Sequence, residues 1–140
     1  MAVKTQASYI RVYNALEPQV IATDTTTTGA IIDTANYDMG ITFALLTTAY
    51  TDGTYTLKIE HGDDSGLSDA ADVDTAMLVY GTLPADSAGS TEGDAMAREG
   101  VHSTKRYIRA SIVSTSTTTG ATVQVIAIVG PEVLPTPQDD

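Results

Sequence analysis

The stretch TYTLKIE, residues 54–60, alternates without a break: Tyr55, Leu57 and Ile59 on one side, Thr54, Thr56, Lys58 and Glu60 on the other. A period of two is that of a strand with one buried face. GITFALLTT precedes it and places Ile41, Phe43 and Leu45 on one face, while Asp52-Gly53 between the two offers a tight turn. Residues 40–61 therefore read as a β-hairpin. Near the end, RYIRASIVS sends Ile108, Ala110 and Ile112 to one side, opposite Tyr107, Arg109 and Ser111. TSTTTG then turns the chain, and ATVQVIAIVG returns as a nearly continuous apolar strand, completing a second hairpin. A strand apolar on both faces belongs in the middle of a sheet or at an interface.

The remaining segments agree with a sheet protein. Two short strands flank the threonine tract between Gln19 and Asp33, and DTTTTG and TSTTTG read as loop tips. MLVYGTL, residues 77–83, reads as one more short strand, and Ser68 is placed to cap a helical turn. The abundance of Thr, Val and Ile favours the pleat over the helix. About seven antiparallel strands joined by turn signals predict a single all-β domain, a β-sandwich or jelly roll. Residues 1–18 are its N-terminal arm or first strand, and 19–130 the sandwich, with an acidic, loop-rich insertion at about 62–104. Residues 131–140, GPEVLPTPQDD less its first glycine, form an extended Pro-rich tail.

The 140 residues suit one domain. The absence of cysteine removes disulfides, thiol nucleophiles and thiolate metal sites together. No apolar run approaches a membrane span, and MAVKTQASYIRVYNALEP lacks the apolar stretch of a secretory signal, so a soluble chain without an export signal is expected. Seven Lys and Arg stand against 18 Asp and Glu, a net charge of −11. That surface repels nucleic acid and anionic membranes, and neither is expected as a partner.

Chemistry, if present, would sit in KIEHGDDSGLSDAADVD, residues 58–74. The adjacent aspartates and the glycines at 62 and 66 do not fit the calcium-loop pattern, which alternates its ligands. Two histidines and no cysteine fall short of a zinc set. His61 is in reach of Asp63 or Asp64 for acid–base work, but no nucleophile motif accompanies it. A strand end followed by a solvated turn is the simpler reading. A loose calcium site would require Asp63, Asp64, Asp69, Asp72 and Asp74 to converge. No catalytic, metal or cofactor residue is assigned.

Two cationic stretches remain. KRYIR, with Lys105, Arg106 and Arg109, either pairs with acidic neighbours in the same molecule or presents a basic-aromatic strip. Residues 1–16 carry Lys4 and Arg11 with no acidic residue, plus Tyr9 and Tyr13. Lys4, Tyr9, Arg11 and Tyr13 are the expected partner-binding residues, since Tyr and Arg dominate interface energetics.

GAIIDTANYDMGITFALLTTAYTDGTYTLKIEHGDDSG, then LVYGT, then GVHSTKRYIRASIVSTSTTTGATVQVIAIVGPEVLP together resemble the decoration, or cement, proteins of tailed-bacteriophage heads. The resemblance spans most of residues 29–135. It implies a jelly-roll protein without catalytic residues or cofactor, a homotrimer seated on the outer surface of the virion's capsid. The partner would be the major capsid protein, stabilised by bridging of its subunits. A carbohydrate-binding β-sandwich, with or without calcium, and a tail or connector protein are the alternatives.

Overall fold

A computed structural model describes residues 10–35, 37, 40–90 and 96–130. It contains nine strands among the described residues: β1 (Arg11–Ile21), β2 (Thr26–Asp33), β3 (Ile41–Thr48), β4 (Thr54–Gly62), β5 (Ala71–Asp72), β6 (Ala85–Asp86), β7 (Ala97–Val101), β8 (Tyr107–Thr115) and β9 (Ala121–Val129). They form two antiparallel sheets. Sheet I has the order β1-β9-β3-β7, and sheet II the order β2-β8-β4-β5 with β6 also on β4. The two-residue β5 and β6 border β4 at its opposite ends, at Glu60–His61 and Tyr55–Thr56. Taken as one interrupted edge strand, they leave eight strands, four to a sheet, in jelly-roll order.

The alternation foreseen in the sequence is present, but the hairpins are not. β3 and β4 lie in opposite sheets, and so do β8 and β9; β3 pairs with β9, and β4 with β8. Each supposed hairpin turn is an arch that carries the chain across the sandwich. The two arches hold each other rather than their own stems. Asp52 accepts hydrogen bonds from the backbone N–H groups of Thr118, Thr119 and Gly120 and from the Thr118 hydroxyl, and Thr51 N donates to Gly120 O at 3.0 Å. The Thr118 hydroxyl and the loop amides hold the Asp52 carboxyl down at about 2. Gly120 has φ +97, and a Cβ there would lie 2.1 Å from Ile21 O, so only glycine fits.

The inward faces make one core. Phe43, Leu45, Val123, Val125 and Val129 from sheet I meet Tyr55, Leu57, Ile59, Ile108 and Ile112 from sheet II, all at most 1% exposed. Each such side chain contributes roughly 1.5–3 kcal/mol on removal from water. At one corner the sheets come so close that a Cβ on Gly29 would lie 2.2 Å from Ala15 O and 2.4 Å from Ala110 O. Inward-pointing Glu99, on edge strand β7, is fully buried; its Oε1 accepts from Tyr80 N and Gly100 N, both at 2.9 Å. That fixes the 77–80 segment along the open edge of sheet I, an arrangement that blocks edge-to-edge pairing.

Three local expectations are corrected. Residues 77–83 are not a strand: only Leu78 makes a bridge, to Val101. The helical turn is a single 3-10 turn over Thr75–Met77, capped by Asp74 rather than Ser68. Thr26, Thr27 and Thr28 belong to β2, not to a loop tip, whereas 116–120 is a loop as expected. β1 takes the N-terminal stretch into sheet I from Arg11 onward; residues 1–9 and the Pro-rich 131–140 lie outside the described residues.

Candidate protein-interaction face

The acidic loop spends its carboxylates on its own backbone. β4 runs to Gly62, so His61 is a strand residue, and the loop follows it. Asp69 accepts from Asp63 N and Asp64 N at 2.8 and 3.1 Å, and Asp64 from Gly66 N and Ser68 N at 2.9 and 3.2 Å. Those amides lower the pKa of both carboxyls, with Ser68 N the largest cause for Asp64 and Asp63 N for Asp69. Asp63 pairs with Lys105. Among the described residues no three His, Asp or Glu gather as a metal site. His61, 7% exposed, contacts neither Asp63 nor Asp64 but Ser103, Nδ1 to Oγ 2.7 Å. The Ser103 oxygen also accepts from Lys105 N at 3.0 Å, closing the turn into β8.

KRYIR follows the intramolecular reading. Lys105 pairs with Asp63, Arg106 with Asp33 at 2.8 Å, and Arg109 with Glu60 at 2.8 Å. Lys58 joins Glu60 at 2.9 Å and Asp72 at 3.4 Å, so a charged chain runs across the outer face of sheet II. Arg109, then Lys58, pulls the Glu60 carboxyl below its ordinary range. Here the cations and carboxylates pair with one another, although Arg109 Nε and Ser111 Oγ are buried without a hydrogen-bond partner among the described residues.

The outer face of sheet I differs in kind. The strand registers place Val12, Ile128 and Thr42 in one row, continued by Gly100. Val79 sits over Gly100, its Cγ2 2.7 Å from where a Cβ would stand, and extends the row past β7. The next row is Asn14, Ile126, Ala44 and Arg98; Gln124 and Leu46 follow, then Val20, Thr122 and Thr48. Arg98 is the one cation among them, and Glu17, exposed on β1 between buried Leu16 and exposed Val20, adds one carboxylate to this side. The Arg98 guanidinium lies 5.9 Å from the centre of the exposed Tyr80 ring and makes no ion pair among the described residues. Val12 is 62% exposed, Val20 68%, Val79 56%, Tyr80 62% and Ile128 36%, a run of apolar surface on a chain of charge −11. Contiguous exposed apolar patches of this kind mark interaction sites.

Of the residues expected to bind a partner, Lys4 and Tyr9 lie outside the described residues. Arg11 and Tyr13 are in β1 but oppose inward-facing Val129 and Ala127. Tyr13 packs against the core rim and its hydroxyl meets that of Tyr37 at 2.8 Å. The outward residues of the same strand are Val12 and Asn14. The signal for this face was the doubly apolar strand at 121–129: β9 does sit mid-sheet, yet no layer of the described residues lies over Ile126 and Ile128. No protein-family model, curated protein or solved structure matches this chain. A depression of about 110 Å³, lined by Thr34, Tyr37, Gly40, Ile41, Val101, His102 and Ser103, is below the range of organic-ligand pockets. The exposed face of sheet I is thus the strongest candidate site, and what it offers is binding.

Proposed function

We infer that this protein is a virion structural protein: a decoration protein that binds the outside of a tailed-phage head and braces neighbouring capsid subunits. The observation that carries this reading is the exposed outer face of sheet I, where Val12, Val20, Ile128, Val79 and Tyr80 leave apolar surface on an otherwise acidic molecule. Such a surface suits attachment to another protein, since interface cores are depleted in charge. The jelly roll supports the reading as fold-level analogy, because viral capsid domains use it, as lectins also do. The net charge of −11 disfavours packaged DNA and suits the outer side of a shell. Three copies held together, as the resemblance implies, would turn weak single contacts into tight attachment.

Co-sedimentation with expanded, undecorated phage heads tests the reading, at low and high salt and with EDTA. Saturable binding, weakened by salt and indifferent to EDTA, is expected. No binding overturns it; binding abolished by EDTA would move the site to the Asp63–Asp74 loop.

A further inference from the structure

We propose that residues 74–83 form a strap that swings off the side of the sandwich as a unit while both sheets stay folded, and that buried Glu99 is the spring that favours its opening. The strap leaves one sheet, crosses to the other and returns. Its ends are tied to β4 in sheet II: Val73 N donates to Ile59 O at 3.0 Å, and Pro84 O accepts from Leu57 N at 2.9 Å. β5 and β6 continue those ties along β4 on either side. Its middle lies along β7, the edge strand of sheet I, where Val79 N donates to Gly100 O at 2.8 Å and Met77 O accepts from His102 N at 2.9 Å. Opening breaks the bonds to β7 while the hinges at Val73 and Pro84 hold, and it bares the strand edge that the closed strap occupies.

Two observations put the strap at the low-stability end of the molecule. Between its ends only Leu78 is buried, and the neighbouring Val79 and Tyr80 are exposed, so closing it removes little apolar surface from water. Closure also buries a carboxyl that it does not satisfy. Glu99 is fully buried; its Oε1 accepts from Tyr80 N and Gly100 N, both at 2.9 Å, whereas Oε2 has no hydrogen-bond partner among the described residues. In a regular antiparallel pair Gly100 N would return the bond that Val79 N makes, but the carboxyl takes it, and the ladder stops there. The residue opposite on β3 is Phe43, whose side chain offers no donor. A carboxyl that leaves water for two N–H groups on one oxygen and none on the other loses more than it regains. Opening the strap returns that oxygen to water and offsets part of the contacts given up.

Residue-resolved hydrogen exchange of the full chain in dilute urea tests this, on the wild type and on Glu99→Gln. In the wild type the N–H groups of Val79, Tyr80 and His102 should exchange at least ~10-fold faster than the hinge N–H groups of Val73 and Leu57, and with a smaller dependence on urea. One common rate for all five would mean that the strap opens only when the whole domain unfolds, and overturns the proposal. Glu99→Gln keeps an oxygen to accept from Tyr80 N and Gly100 N but buries a neutral amide in place of the carboxyl. It should slow exchange at Val79, Tyr80 and His102 roughly 5-fold or more and raise the melting temperature. Faster exchange at those three positions would make Glu99 a latch rather than a spring, and unchanged exchange would remove it from the motion; either result overturns the role assigned to it.

Discussion

The two outer faces of this sandwich are built from antiparallel strands alike, yet their side chains are of opposite character. On sheet II, Lys58, Glu60, Arg109 and Asp72 form a chain of ion pairs, and Arg106 and Asp33 another; the charges are spent inside the molecule. On sheet I the corresponding positions are Val12, Ile126, Ile128, Thr42 and Leu46, with Arg98 over the Tyr80 ring and without an ion pair among the described residues. A face that satisfies itself contributes to folding and has little left to offer a partner. A face left apolar contributes little to folding and keeps its energy for association. Stability and binding should therefore divide between the two sheets.

Four substitutions sharpen that division, in falling order of effect on stability. Phe43→Ala hollows the core the two sheets share and should cost about 3–5 kcal/mol by urea denaturation, which would remove both faces at once. Glu60→Ala, on sheet II, strands Arg109 and leaves Lys58 only its longer pair with Asp72, and should cost roughly 1–3 kcal/mol, with capsid binding unchanged. If that variant were as stable as the wild type, the self-satisfied description of sheet II would fail.

Asp52→Ala unties the two arches, and its effect should depend on pH. The carboxyl titrates at about 2 when folded, below the ordinary 3.8, so its stabilisation is complete above the unfolded value. It should disappear as pH falls from about 4 towards 2. The melting-temperature gap between variant and wild type should therefore be largest near neutrality and close across that window. A gap that persists at pH 2 would mean the carboxylate is not what holds the loop. The smallest stability effect belongs to Ile128→Thr on sheet I, within about 0.5 kcal/mol in the same denaturation assay, whereas capsid binding should weaken roughly several-fold.

Much of the fold was legible because period-two patterning reports burial directly. Tyr55, Leu57 and Ile59, and likewise Ile108 and Ile112, are inward as their alternation required. What alternation does not carry is the identity of the sheet that a strand joins. β3 and β4 look like a hairpin because Asp52-Gly53 is a turn signal, but the Asp52 side chain is committed to the amides of residues 118–120, distant in sequence. A five-residue link between two half-buried strands serves an arch as well as a hairpin. Segments without alternation were the least readable: Leu78 and Tyr80 take their places from Val101 and Glu99.

The site was half legible. β1 holds two of the residues expected to bind a partner, Arg11 and Tyr13, and it also holds Val12 on the opposite side. Tyr13 turns inward to Tyr37, and the plainer Val12 turns out. Ile126 and Ile128 were visible as an excess of apolar residues on β9, but only the sheet order shows that no described element covers them.

The absence of cysteine permits a direct measurement of which side is covered. Single cysteines introduced as Ile128→Cys and Thr28→Cys report the outer faces of sheets I and II by their rates of maleimide labelling, free and on saturated heads. Capsid binding should slow labelling at position 128 at least ~10-fold and leave position 28 unchanged, as expected for a residue inside a water-excluding interface. Equal rates at 128 in the free and bound protein, or protection at 28 instead, would contradict the assignment of the binding face to sheet I.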